Sequence, residues 1–473
     1  MAVESVLTVL VLLIGFYMAW NIGANDVSNA MGTSVGSKAL TLKKAVLIAA
    51  VLEFCGAFFA GSNVSETMQR GLIDTDLFIA EPTILILGMC AALLGTSIWL
   101  QIASFFGWPV STTHAIVGAI LGFGLVVGGV DALRWGEVGS IALSWVISPV
   151  LSAFISFSIF LFLQKKILFA MDPTDATQKM MPYLIFLVFA TFTLSLIFNG
   201  LQNLNLSFSF AQVLGIAFLV GLIAALICYF ILKRRPLHAE SCPVARYTPQ
   251  TIVSLDKAIK HLQRVSLSSY DDTHQRVSGI LKEAKTLSNE LRKESSFSER
   301  ASHYGAVEKS FGWLQLFSAC FVAFAHGAND VANAIGPVAA VLDILKNGII
   351  SSTTVVPLWL LAFGGVGIVI GLATWGWRVM ETIGKKITEL TPTRGFTAEF
   401  GAATTILVAS KLGLPISTTH CLVGAVLGVG LARGIRALNL TMLRDIILSW
   451  IVTIPASAIM CIIVFYALKA IFM

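Results

Sequence analysis

Two short motifs, each present twice, gather the residues with the most distinctive chemistry in this sequence. GANDVSNAMG begins at residue 23 and recurs as GANDVANAIG at residue 327, and PVSTTHAIVGAILG begins at residue 109 and recurs as PISTTHCLVGAVLG at residue 415. The first motif brings carboxylates and carboxamides together, and the second brings three consecutive hydroxyls after a proline. The copies keep their order at offsets of 304 and 306 residues, which indicates an internal duplication.

The first motif has the side chains of a cation site. Each copy places an aspartate beside an asparagine, with a second asparagine three residues later on the same helix face. A charged side chain inside an apolar span costs on the order of 3 kcal/mol, so two of them favour a function over a structural hydrogen bond. Carboxylate and amide oxygens suit sodium, which is a hard cation. The predicted sodium ligands are Asp26, Asp330, Asn29 and Asn333.

The second motif has the residues of an anion site. Proline favours a helix start, so the N–H groups that follow it have no helical acceptor. A helix N-terminus that carries hydroxyl side chains is well suited to an anion. Ordinary N-capping is the alternative, but recurrence of the motif beside the acidic one favours anion binding. The hydroxyls are those of Ser111, Thr112, Thr113, Ser417, Thr418 and Thr419.

Further titratable residues lie in apolar stretches. Glu53 and Glu399 have no adjacent basic residue, and because burial of an ionised glutamate is costly, we predict that both couple ion movement to transport. His114, His326 and His420 could relay protons, although a hydrogen-bonded structural role is the simpler interpretation.

The elements that position these motifs must be membrane helices. Hydrophobic residues make up 56% of the 473 residues and charged residues 12%, about half the usual charged share of a soluble domain. This composition excludes a water-soluble multidomain enzyme, a disordered chain and a secreted disulfide scaffold. The seven cysteines form no CxxC pair and indicate no metal site. The sequence therefore predicts an all-α polytopic membrane protein.

Apolar stretches long enough to cross a bilayer recur about twelve times. Between the seventh and the eighth stretch, residues 233–312 hold 14 Lys and Arg against 9 Asp and Glu. The overall charge of +6 comes mainly from this segment and gives no sign of nucleic-acid binding. The predicted stretches are 5–32, 42–61, 82–104, 109–129, 138–163, 182–200, 211–232, 313–336, 352–375, 396–411, 415–432 and 445–470.

The duplication divides the chain into two membrane halves. We predict an N-terminal half at 1–232, a cytoplasmic helical connector at 233–312 and a C-terminal half at 313–473. The Lys and Arg residues of the loops place both termini outside. Seven crossings separate the copies of the first motif, and because seven is odd, the copies enter the membrane from opposite faces. Two inverted repeats with discontinuous helices at the midplane, and a site at their interface, are typical of transporters.

Both membrane halves resemble the inorganic phosphate transporter (PiT) family. Its signature GANDVANA is intact at 327–334 and reads GANDVSNA at 23–30, and both PxSTTH motifs match. The resemblance implies symport of inorganic phosphate with a cation by alternating access. It implies that Asn25 and Asn329 join the hydroxyls in binding phosphate, and that Glu53 takes part in transport together with Glu399. It implies no catalytic residue, and no cofactor besides co-transported sodium.

The sequence leaves more than one possibility for the coupled ion and for the transported anion. Proton-coupled bacterial relatives carry a histidine inside the first motif, whereas GANDV is the sodium-dependent form, so sodium is favoured. Sulfate is also a tetrahedral oxyanion, and these motifs do not separate it from phosphate. A hydrolase that uses Ser111 and His114, or a channel, explains the duplicated acids less well. The resemblance also implies the cell membrane of a bacterium or archaeon, with a homodimer among the options for assembly.

Overall fold

The described part of the chain is helical throughout. A computed structural model describes residues 2–62, 64–65, 72–200, 208–237, 249–268, 271–294, 297–350, 356–377, 379–380, 390–434 and 438–473. Within these ranges the only β pairing is an isolated bridge between Ile73 and Leu133. The all-α prediction is confirmed. One compact unit comprises Met1–Phe160, Leu187–Leu222 and Gly312–Met473, and a second comprises Leu161–Phe186 and Ile223–Phe311.

Fourteen α-helices have defined bounds in the described ranges. They are α1 (Ala2–Gly36), α2 (Leu42–Ala60), α3 (Pro82–Phe105), α4 (Thr112–Gly128), α5 (Trp135–Leu163), α6 (Pro173–Ser195), α7 (Phe210–Arg234), α8 (Pro249–Ser268), α9 (Asp271–Glu294), α10 (Phe297–Asn347), α11 (Leu358–Thr374), α12 (Pro392–Lys411), α13 (Thr418–Arg433) and α14 (Leu440–Phe472). Each predicted membrane stretch coincides with one of α1–α7 or α10–α14. Seven described helices are long and apolar enough to cross a membrane, and α4, α11 and α13 are shorter apolar helices.

The two GAND motifs lie inside unbroken helices, α1 and α10. Their first glycines serve close packing. A Cβ atom at Gly23 would collide with the backbone carbonyl of Ile368, and one at Gly327 would collide with that of Glu53. Glycine is therefore required where α1 crosses α11 and where α10 crosses α2.

The discontinuous helices are instead two helical hairpins. Helices α3 and α4 are joined at a first tip (residues 106–111), and α12 and α13 are joined at a second tip (residues 412–417). Gly107 and Gly413 have φ values of 69° and 67°, a left-handed conformation that favours glycine. In each tip the residue after the glycine donates its N–H to a carbonyl near the helix end, at 2.9 and 3.0 Å. These bonds close the first helix, and proline then leads into the second.

Each hairpin packs against the helix that directly follows the hairpin of the opposite repeat. Gly424 and Gly428 lie one helical turn apart on α13, and a Cβ atom at either position would meet the backbone of α5. Gly118 and Gly122 hold the corresponding positions on α4 and face α14. Small residues at this spacing let two helix backbones approach closely. The hairpins are thus held by helices from the other half of the duplication.

The second unit contains the amphipathic helices expected within 233–312. They are α8 and α9, in which Leu255, Ile259 and Leu262 are half-buried. The hydroxyl of Ser288 donates to Asp256 Oδ1 at 3.2 Å and ties the two helices together.

We predict that Gly424→Ala destabilises the protein. The added methyl group would overlap the Pro149 carbonyl of α5, and overpacking of this kind costs about 1–3 kcal/mol. Gly215→Ala is the matched control, since nothing lies within 4 Å of the methyl group that alanine would add there and alanine is the better helix former. Thermal unfolding of the purified proteins in detergent should show a lower midpoint for Gly424→Ala only. Equal midpoints would contradict the tight crossing of α5 and α13.

Candidate functional site

The two GAND helices and the two hairpin tips meet at one buried centre. The hydroxyl of Thr112 donates to Asp26 Oδ2 at 2.6 Å, and the hydroxyl of Thr418 donates to Asp330 Oδ2 at 2.8 Å. All four side chains are at most 2% exposed. Each repeat therefore joins its own acidic motif to its own hydroxyl motif, and the two copies do so in the same way.

The second asparagines connect the repeats to each other. Asn29 Nδ2 donates to the hydroxyl of Thr419 at 2.8 Å, and Asn333 Nδ2 donates to that of Thr113 at 3.1 Å. Asn29 also bonds Asp26 Oδ1 at 3.0 Å, as the spacing of three residues predicts. The predicted sodium and phosphate residues thus form a single reciprocal network rather than two separate sites.

The first asparagine of each GAND motif is hydrogen-bonded to a serine that the sequence did not single out. Asn25 Nδ2 donates to Ser104 Oγ, and Asn329 Nδ2 donates to Ser410 Oγ, each at 3.0 Å. A signal was present, because Ser104 and Ser410 are 306 residues apart, the same offset as the hydroxyl motifs. Asn25 donates further to the Trp108 carbonyl in the first tip, at 3.2 Å.

The hydroxyl motifs form two helix N-termini that lie against each other. Ser111 Oγ accepts the His114 N–H and Ser417 Oγ accepts the His420 N–H, both at 3.1 Å, so the serines are N-caps. Their own O–H groups remain able to donate. In the first helical turn that follows, the threonine N–H groups have no preceding helical carbonyl to bond.

The tips are also bonded directly to each other. The hydroxyl of Thr113 donates to the Ile416 carbonyl at 3.0 Å, and the hydroxyl of Thr419 lies 3.3 Å from the Val110 carbonyl. The first turns of α4 and α13 therefore bring the positive ends of two helix dipoles to one place. Such an arrangement attracts an anion.

His326 places a titratable side chain in one half of the centre only. Its Nε2 lies 2.8 Å from Asp330 Oδ2 and its Nδ1 lies 3.3 Å from Glu53 Oε1, with all three side chains fully buried. The corresponding residue of the first repeat, 304 positions earlier, is Ile22. Ligand atoms of Asp26, His326 and Asp330 lie within 4.8 Å of one another. The sequence did not reveal this partner of Glu53, since the two residues are far apart along the chain.

Glu399 occupies a separate, fully hydrogen-bonded position. Its carboxylate accepts the hydroxyls of Thr33 at 2.6 Å and Ser34 at 2.7 Å, both from the end of α1. From α10 it accepts the Gln315 amide at 3.0 Å and the Ser318 hydroxyl. The two predicted coupling glutamates therefore have different surroundings, and Glu399 makes no hydrogen bond to the described residues of the aspartate centre.

Several buried oxygens of the centre have no donor. Among the described residues, no hydrogen-bond donor reaches Asp330 Oδ1 or the side-chain carbonyl oxygen of any of the four motif asparagines. A buried acceptor without a partner costs about 1–3 kcal/mol. These five oxygens are ligands of the type that a hard cation takes. The oxygens belong to Asn25, Asn29, Asn329, Asn333 and Asp330.

Known proteins match this chain over nearly its whole length. Residues 22–461 match the description "Phosphate transporter family". A solved structure, "The sodium-dependent phosphate transporter", is 36% identical, has a TM-score of 0.76 and covers 98% of this chain and 100% of its own. A Chlamydia pneumoniae protein named "Putative phosphate permease" is 45% identical over 98% of this chain and 99% of its own.

A plant relative is similar as well. The Arabidopsis thaliana protein "Inorganic phosphate transporter 2-1, chloroplastic" is 44% identical over 96% of this chain and 70% of its own.

The resemblance inferred from the motifs is confirmed, and the hydrolase alternative is wrong, because the matched family and fold are those of transporters. The geometry agrees, since Ser111 Oγ caps a backbone N–H instead of pairing with an imidazole.

We predict that Thr419→Val lowers the free energy of unfolding by about 1–3 kcal/mol, because Asn29 would lose its 2.8 Å acceptor inside the protein. Thr419→Ser should restore most of the loss. The control is Thr404→Val, which removes only a bond to the Phe400 carbonyl on its own helix. Thermal unfolding measures all three variants, and a Thr419→Val midpoint equal to that of Thr404→Val would contradict the cross-repeat network.

Proposed function

The chain belongs to the phosphate transporter family, and we propose that it imports inorganic phosphate by symport with sodium. Access to the buried centre around Asp26 and Asp330 would alternate between the two sides of the membrane. One observation carries the proposal: two helix N-termini meet two carboxylates at a centre where no described Lys or Arg side chain makes a contact. The helix ends attract an anion, and cations must offset the carboxylates.

Phosphate would bind between the tips. Its oxygens would accept hydrogen bonds from hydroxyls and from the unbonded N–H groups in the first turns of α4 and α13. The carboxamides of Asn25 and Asn329 offer further donors once they turn from their serine partners. The proposed phosphate ligands are Ser111, Thr112, Thr113, Ser417, Thr418, Thr419, Asn25 and Asn329.

Sodium would bind beside the phosphate. The carboxylates of Asp26 and Asp330, with the side-chain oxygens of Asn29 and Asn333, provide two corresponding ligand sets, one from each repeat. The buried oxygens without donors support this assignment, because a cation would satisfy them. Two sodium ions with a monovalent phosphate carry one net positive charge inward, which gains about 2.3 kcal/mol per 100 mV of membrane potential.

Glu53 and Glu399 would couple the site to movement. Glu399 lies on α12, the helix that leads into the second tip, and it bonds Thr33 and Ser34 at the end of α1. A shift of that hairpin relative to α1 must therefore break buried hydrogen bonds of a carboxylate. Glu53 acts on the other half of the centre through His326.

A proton-coupled phosphate permease is the second candidate. It is favoured by His326, a titratable side chain between two buried carboxylates. Such a permease would take up phosphate along a proton gradient when sodium is absent.

The chain is an integral membrane protein, and its orientation is part of the proposal. Residues 233–312 would face the cytoplasm and both termini the outside, in the cell membrane of a bacterium or archaeon. The excess of Lys and Arg in the connector supports this orientation.

We predict that Asp26→Asn and Asp330→Asn each abolish sodium-driven phosphate uptake into proteoliposomes, because each removes one carboxylate that offsets a sodium ion. Membrane insertion and the size-exclusion profile should be unchanged. Asp175→Asn is the control, since that carboxylate is exposed and its ion pair among the described residues is with Lys179 on the same helix, at 2.6 Å. Uptake near the wild-type rate in either site variant would refute the site assignment.

A further inference from the structure

Four aromatic rings contact one another in a row next to the two tips and across the repeat interface; their successive ring planes meet at 36°, 75° and 29°. In order they are Trp145 of α5, His114 of α4, His420 of α13 and Trp450 of α14, with successive ring centroids 3.8, 4.2 and 3.5 Å apart. We call these four residues the Trp–His stack. The histidines are 306 residues apart and the tryptophans 305, so the stack follows the duplication.

The stack is attached to both tips. The backbone N–H groups of its two histidines are the ones that Ser111 and Ser417 cap. The indole N–H of Trp145 donates across the repeats to the Pro415 carbonyl in the second tip, at 3.2 Å. If one tip moved relative to the other, stacked rings would separate and this bond would be lost.

Four polar ring atoms of the stack are buried without partners. Among the described residues, none hydrogen-bonds to either ring nitrogen of His114, to His420 Nε2 or to Trp450 Nε1. Burial of unpaired polar atoms is unfavourable, and phenylalanine rings would avoid that cost. Stability alone therefore does not account for two imidazoles here. An imidazole ring is smaller than a phenyl ring and fits at these short centroid spacings. The use of imidazoles therefore indicates that the two tips must stand at a particular distance from each other.

We propose that the Trp–His stack is a positioning device that sets the distance and angle between the two helix N-termini that receive phosphate. This inference rests on the proposed function. The attraction between an anion and a helix end falls off within the first turn. The helix ends must therefore stand at the right separation before phosphate arrives, since binding energy spent on bringing them together is lost to affinity.

The first test is uptake kinetics of His114→Ala and His420→Ala in proteoliposomes with a sodium gradient. Each variant should raise the phosphate KM roughly 10- to 100-fold, as expected when binding groups are misplaced by about 1 Å. The maximal rate at saturating phosphate and the sodium dependence should be largely retained, because among the described residues no hydrogen bond joins a ring of the stack to a proposed sodium ligand. Trp145→Phe keeps a ring but loses the bond to Pro415, so it should give a smaller rise.

The matched control is Phe123→Leu. Phe123 is buried on the same helix as His114, and its ring centroid lies 5.6 Å from that of Phe78 and 5.2 Å from that of Phe465. This variant should lower the thermal midpoint without raising the phosphate KM. If His114→Ala changed the KM no more than Phe123→Leu does, the stack would be ordinary packing and the positioning role would be refuted.

A second measurement does not depend on transport. Spin labels at Phe106→Cys and Leu412→Cys, two exposed tip positions, would report the distance between the tips in an otherwise cysteine-free protein. The distance distribution should be narrow with the intact stack and broader in His114→Ala; an unchanged distribution would overturn the proposal. Failure of the proposed function has a different signature, because the wild-type protein itself would then take up no phosphate.

Discussion

The charge of two buried carboxylates is the constraint on which the rest of the structure depends. Asp26 and Asp330 are each at most 1% exposed and no described Lys or Arg side chain contacts them, while the imidazole of His326 lies 2.8 Å from Asp330. Threonine hydroxyls and asparagine amides stabilise them in part, but a negative substrate can join such a centre only if cations arrive with it. The proposed coupling of phosphate to a cation would then follow from the electrostatics of this centre.

Each copy of the duplication supplies one half of the centre, and hydrogen bonds between the two repeats join the halves. The second asparagine of each acidic motif bonds a hydroxyl of the other repeat, and each hairpin packs on the helix that follows the hairpin of the other repeat. The symmetry is broken at His326, which contacts Glu53. The corresponding position of the first repeat is the apolar Ile22. The two halves of the centre therefore differ in their titratable side chains.

Local signals in the sequence identified most of this arrangement. Each predicted apolar stretch overlaps a described helix, seven of these helices are long and apolar enough to cross a membrane, and the repeated motifs contain most residues of the centre. The partners of Glu53 and Glu399 could not be found this way, because His326 and Ser318 reach them only through tertiary packing. The serines that hold Asn25 and Asn329, and the tryptophans of the stack, repeat at nearly the same offsets as the motifs. Extending the repeat comparison beyond the motifs would have found them.

Gradient-driven uptake tests the coupling of phosphate to sodium most directly. Purified protein in sealed proteoliposomes would receive radiolabelled phosphate with an inward sodium gradient at equal pH on both sides, or with an inward proton gradient in the absence of sodium. We predict concentrative uptake with sodium alone, increased by an inside-negative membrane potential. Uptake driven only by the proton gradient, or uptake indifferent to sodium, would contradict sodium symport.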